Sequence, residues 1–228
     1  MVVRSEHNSL EEFIKATSSS AERERVGFVS FTQWPFALAA LAETALTMQA
    51  MGSKVYVAFW AERTPMKDTG WSTHRSLARL FGSRTSDEFV EDSLVATHGS
   101  DVSIISPPIK RWRAPADVRM REPLNRSAIR KISYRGSPMG RAMLQIRPDT
   151  ETPITDAYFW PRRLLDSAAC SYAWVYDQTL ALIEQQALTS IVIYNGRFLH
   201  DRAASAAGEA AGIRVLYYDT GGIDTDFD

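Results

Sequence analysis

Cysteine is almost absent from this chain of 228 residues: Cys170 stands alone, so no internal disulfide can form. It lies in a helical apolar pattern with Ala168, Ala169, Tyr172 and Ala173, which reads as a buried, inert thiol in a reducing cytoplasm. Long apolar runs are missing too. No segment approaches the ~18 apolar residues of a membrane span, and the opening MVVRSEHNSLEEFIK lacks the apolar core of a signal peptide. Net charge is also lacking, since 26 Lys and Arg against 27 Asp and Glu leave −1. The chain as a whole therefore has no pull toward nucleic acid or an anionic membrane. Neither a Gly-rich run ending in Gly-Lys-Ser/Thr nor a G-x-G-x-x-G occurs, which disfavours ATP hydrolysis and nicotinamide chemistry. No His/Cys set has zinc spacing and no G-x-S-x-G elbow is present, so neither a metal nor a cofactor is expected. These absences describe a cytoplasmic protein, with peripheral contact at the inner face of the membrane left open.

What is present is 45% hydrophobic content, enough to bury a full core, in two β-α-β patterns. In the first, the buried-strand run VGFVSF (26–31) ends in Thr32-Gln33-Trp34, and Pro35 takes the first position of a helix over about 36–51 that Gly52 closes. A second strand follows at 53–60. The other pattern starts from Ile191-Val192-Ile193-Tyr194, breaks at Asn195-Gly196, continues as a helix over about 199–211 closed by Gly212, and ends in a strand at 213–218. Ser9 and Glu12 frame a capping box for a short first helix. Helices near 72–81 and 86–96, a short strand at 102–105 and a long amphipathic helix over about 162–186 complete the reading. Together these predict one Rossmann-like α/β domain: a parallel sheet with helices on both faces and a basic, irregular insertion at about 110–147.

In open parallel sheets, ligands bind outside the carboxyl ends of the strands. Three turns would meet there. Thr32, Gln33 and Trp34 enter a helix N-terminus, whose free N–H groups suit an anion or a sugar hydroxyl. Asn195, Gly196, Arg197 and Arg202 bracket the second helix start, where either guanidinium can grip a carboxylate or phosphate. Asp219, Gly221 and Gly222 end the last strand. His200 reads as a surface residue, and Asp224, Asp226 and Asp228 read as a solvated acidic end. The insertion holds eleven Lys and Arg against Asp117 and Glu122, a local +9. Pairing with the acidic 87–101 and 201–228 stretches ranks first for these cations, an anionic ligand second, and nucleic acid last.

The stretch 191–222 resembles bacterial capsular and surface polysaccharide biosynthesis proteins of the two-domain GT-B glycosyltransferase type. The matching residues are Asn195, Gly196, Arg197, Phe198, Arg202, Asp219, Gly221 and Gly222, and 26–60 also looks like the opening of such an N-terminal domain. The resemblance implies the acceptor-side half of a GT-B architecture, with no obligatory metal. It further implies a nucleotide-sugar donor, a glycan or lipid-linked acceptor, and Asp219 as base or hydroxyl-orienting group. The second, donor-binding domain is absent from these 228 residues, so this part alone is expected to be inactive and the enzyme assignment stays open. The rival expectation is a non-catalytic Rossmann-like module that binds an anionic ligand or a partner protein.

Overall fold

The computed structural model describes residues 24–31, 35–60, 64, 102–146 and 159–218. The helices expected from Ser9, at 72–81 and at 86–96, the turn 32–34 and the stretch 219–228 lie outside the described residues. In chain order the elements are β1 (Arg25–Ser30), α1 (Pro35–Ala50), β2 (Lys54–Phe59), β3 (Val102–Ile104), β4 (Leu124–Asn125), α2 (Arg126–Arg130) and α3 (Met139–Met143). They continue with β5 (Phe159–Trp160), α4 (Arg162–Gln186), β6 (Ser190–Tyr194), α5 (Leu199–Ala210) and β7 (Arg214–Tyr218).

Five strands pair in the order β3-β2-β1-β6-β7, and every pairing is parallel. A β-branched run buried on both faces makes such a strand, and the alternation sorts its side chains. Val26, Phe28, Val55, Val57, Val192, Tyr194, Leu216 and Tyr218 form one core with Ala37, Leu41, Ala45 and Met48 of α1. Their alternates Val29, Phe31, Tyr56, Ala58, Ile191 and Ile193 form a second core with α4 and α5. Helices thus cover both faces, as expected of a Rossmann-like fold. The chain winds from β1 to β2 on one side and resumes at β6 on the other, which makes the gap between the carboxyl ends of β1 and β6 the topological switch point.

The helix over 162–186 has the expected bounds, and twelve consecutive residues within it, Ala168 to Thr179, are buried. It is enclosed by the sheet and α5 on one side and by the insertion on the other, so its polar positions became internal anchors. The insertion, expected to be irregular, contains α2, α3 and β4, which pairs antiparallel with β5 beyond it, and it is pinned to α4. Trp112 Nε1 donates to Asp177 Oδ2 at 2.7 Å, and Tyr134 donates its hydroxyl to the same carboxylate at 2.9 Å. Arg135 completes the set at 3.3 Å. Gln178 clasps Ile109 through both amide atoms, and Asp166 takes Met120 N at 3.0 Å and the Arg119 guanidinium at 2.9 Å. Among the described residues, no helix is long and apolar enough to cross a membrane.

Candidate functional site

The strand order sets the carboxyl ends of β1, β6 and β7 along one edge. β1 and β6 are hydrogen-bonded neighbours, so the residues after Ser30 and those after Tyr194 leave the sheet side by side. Thr32, Gln33, Trp34, Asp219, Gly221 and Gly222 themselves lie outside the described residues. Asn195 and Gly196 do turn the chain with positive φ, 54° and 70°. Asn195 stays tied to the sheet, its N–H donating to Tyr218 O at 2.9 Å. Gly196 has a packing reason: a Cβ there would sit 2.8 Å from Tyr217 Cδ1, because the half-exposed Tyr217 ring lies across it. Arg202 turns inward, its Nε donating to Arg197 O at 3.4 Å, so it braces the loop. Arg197 is exposed and its side chain has no partner among the described residues.

The start of α5 is electrostatically unusual. Its N-cap is Phe198, which has no side-chain oxygen to offer the first turn, and the Phe198 N–H is taken by the Asp201 side chain. The acidic residue that ordinarily compensates a helix N-terminus is present as Asp201, but it is 3% exposed. Burial raises its pKa well above the usual carboxylate range, against a smaller opposing effect of the Phe198 backbone hydrogen bond. Burial therefore favours the neutral form of the carboxyl, whose Oδ2 is unpartnered, and so weakens its compensation of the helix dipole.

Beneath this helix start lie buried polar atoms that the sequence did not reveal. Ser30 Oγ, Tyr218 Oη, Asp201 Oδ2 and His200 Nε2 are all buried without a hydrogen-bond partner. Ser30, the last residue of β1, and Tyr218, the last of β7, both sit at the switch-point edge. Desolvation raises the Tyr218 pKa, and the nearby Asp201 adds to it; the Ser30 hydroxyl partly offsets the rise but does not align into a hydrogen bond. His200, expected at the surface, instead packs its ring 5.4 Å from Phe31, and desolvation lowers its pKa to about 4. Trp60, edge-on to Phe31 and to Trp174, fills the space below. The available signal was Asp201 three residues after the helix start, in the position of a capping carboxylate.

Cys170 is buried, and burial pushes its thiol pKa up, as expected of an inert sulfur. Among the described residues no group of His, Cys, Asp and Glu could hold a metal ion. The described ion pairs of the insertion run to Asp166 and Asp177 of α4; the acidic stretches 87–101 and 219–228 lie outside the described residues.

No family model matches the chain, and no curated protein matches it. A solved structure does: a tyrosyl-tRNA synthetase complexed with L-tyrosine from Archaeoglobus fulgidus, 9% identical, TM-score 0.46, covering 92% of this chain. The chain spans 59% of that protein's length. The expected membership of a capsular or surface polysaccharide GT-B glycosyltransferase family is therefore corrected: no such protein was found, and the structural match is to an aminoacyl-tRNA synthetase. With the family fall the nucleotide-sugar donor, the glycan or lipid-linked acceptor and the capsule role. The Asn-Gly-Arg-Phe turn that suggested it has local causes here, in the reversal after β6 and the seat of Tyr217.

Proposed function

We propose that this protein is a non-catalytic Rossmann-like module that binds a small anionic ligand, a phosphate or carboxylate, at the carboxyl edge of its sheet. The observation that carries the reading is the start of α5. Its N-cap, Phe198, has no side-chain oxygen to offer, burial pushes its first-turn acid toward the neutral form, and Arg197, without an ion-pair partner among the described residues, stands beside it. The N–H groups of Leu199, His200 and Asp201 are the orphan donors of that first turn, and an anion there gains both their hydrogen bonds and the dipole. Phe198, 39% exposed, adds an apolar wall. The two titratable groups at the edge, His200 and Asp201, are both pushed toward the neutral form by burial, which suits a receptor for charge better than a proton-transfer site.

Isothermal titration with inorganic pyrophosphate tests this. The wild-type chain binds, Arg197→Ala weakens binding about tenfold, in keeping with the loss of one charge-assisted contact, and Arg197→Lys recovers part of the loss. Unchanged binding by Arg197→Ala, or no binding by the wild type, contradicts the reading.

A further inference from the structure

A second basic surface, away from the sheet edge, stands on independent observations. Residues 109–120 run alongside α4 in the opposite direction: Ile109 is clasped by Gln178, Trp112 by Asp177, and Met120 by Asp166 and Arg162. From Gln178 to Asp166 the helix advances about 18 Å at ~1.5 Å per residue. Lys110, Arg111, Arg113, Arg119 and Arg121 are exposed along this stretch, and Arg163 is exposed on α4. Arg119 is engaged by Asp166; the others have no ion-pair partner among the described residues. Arg113, Arg119 and Arg163 converge on one open groove of about 720 Å³, with Trp112 as a wall; its one carboxylate, Asp166, is taken up by Arg119, and Ser167 and Cys170 also line it. The Trp112 ring is fixed in place by its bond to Asp177.

Five exposed cations against the single exposed Asp117, on a segment anchored at three points, leave a net repulsion that a polyanion relieves. A groove of arginines with a fixed aromatic wall matches the way single strands are held, with phosphates along the cations and a base against the ring. About 18 Å accommodates roughly five nucleotides at the ~3.4 Å per nucleotide of a stacked strand. A lipid surface fits less well. The exposed large apolar side chains of the described residues are Phe198 and Tyr217, both at the sheet edge, so this surface has none to insert.

We propose that the groove between residues 109–121 and the start of α4 binds single-stranded nucleic acid, with Arg113 and Arg163 as its central phosphate contacts. Fluorescence anisotropy with a fluorescein-labelled 12-nucleotide single strand, from 50 to 200 mM salt, tests it on the full chain. With four phosphates engaged, log K falls against log salt with a slope of about −3, and the Arg113→Glu/Arg163→Glu double variant lessens that slope by roughly 1.4. The same variant weakens binding tenfold or more, and Arg113→Gln/Arg163→Gln does so to a smaller degree. Circular dichroism shows both variants folded, as exposed positions allow. Arg197→Ala leaves oligonucleotide binding unchanged, which separates this site from the sheet edge. The proposal is overturned if the charge-reversed protein keeps its affinity and slope, or if the wild type ignores the oligonucleotide and binds phosphatidylserine vesicles.

Discussion

His200 and Asp201 are adjacent residues whose proton equilibria burial moves in opposite senses, and each leaves a signature in the pH dependence of stability. The folded protein holds His200 neutral down to about pH 4, whereas the unfolded chain protonates it near 6.5. Below pH 6.5 the unfolded state therefore takes up a proton that the folded state refuses, and stability falls as pH drops through that window. Discounted for the partly exposed ring, the loss is on the order of 2 kcal/mol. In His200→Phe this component disappears, so the denaturation free energy difference between variant and wild type grows as pH falls from 6.5 to 4; a constant difference contradicts it. Asp201 works the other way. Its folded-state pKa lies well above the 3.8 of an unperturbed carboxyl, so the folded state retains a proton that the unfolded chain releases, and stability falls as pH rises above that value. Asp201→Asn keeps the shape and the acceptor for Phe198 N–H without the ionisation. It is more stable than wild type at pH 8 and still binds pyrophosphate, whereas a variant less stable at every pH places the carboxylate, not the acid, in the native state.

At the scale of elements, α4 organises the molecule, and Asp177 is the point where the insertion is fastened to it. That carboxylate meets Trp112, Tyr134 and Arg135, and with desolvation as the larger cause it pushes the Tyr134 hydroxyl up to about 12. Asp177→Ala leaves a buried phenol and indole N–H without their acceptor, at about 1–3 kcal/mol for each group. The expected result is a chain about 2–4 kcal/mol less stable, with faster limited proteolysis within 105–146 than elsewhere; uniform protection across the chain contradicts the fastening role. The bounds of α4 were legible in the sequence, because Pro161 opens it and the apolar period persists to Gln186. Its environment was not legible. A run such as SAACSYAWVYDQT has the same pattern whether one side faces water or an inserted segment, and only the tertiary contact makes Asp177 and Gln178 internal. The insertion was misread as irregular for the related reason that five-residue helices and two-residue strands fall below the length at which periodicity signals anything.

At the scale of the whole molecule, the parallel sheet was legible because its strands are buried on both faces and need no partner information to be recognised. The switch point followed, since two β-α-β units of this kind put it between β1 and β6. The buried polar atoms at that place were hidden: Ser30 and Tyr218 are nearly 190 residues apart, and only the order β1-β6-β7 makes them neighbours. The family resemblance failed because a short Asn-Gly-Arg-Phe turn reports a reversal after a strand, which many unrelated sheets need. The account joins two anion-seeking surfaces on one scaffold, the start of α5 and the cationic groove on α4, and its central claim is that the first is a specific site. The most direct measurement is an amide nitrogen–proton NMR titration of the labelled protein with inorganic pyrophosphate. The account predicts saturable shifts concentrated at residues 195–201, abolished by Arg197→Ala and retained in Arg113→Glu/Arg163→Glu. Shifts confined to 110–121 and 163, with residues 195–201 unmoved, contradict it.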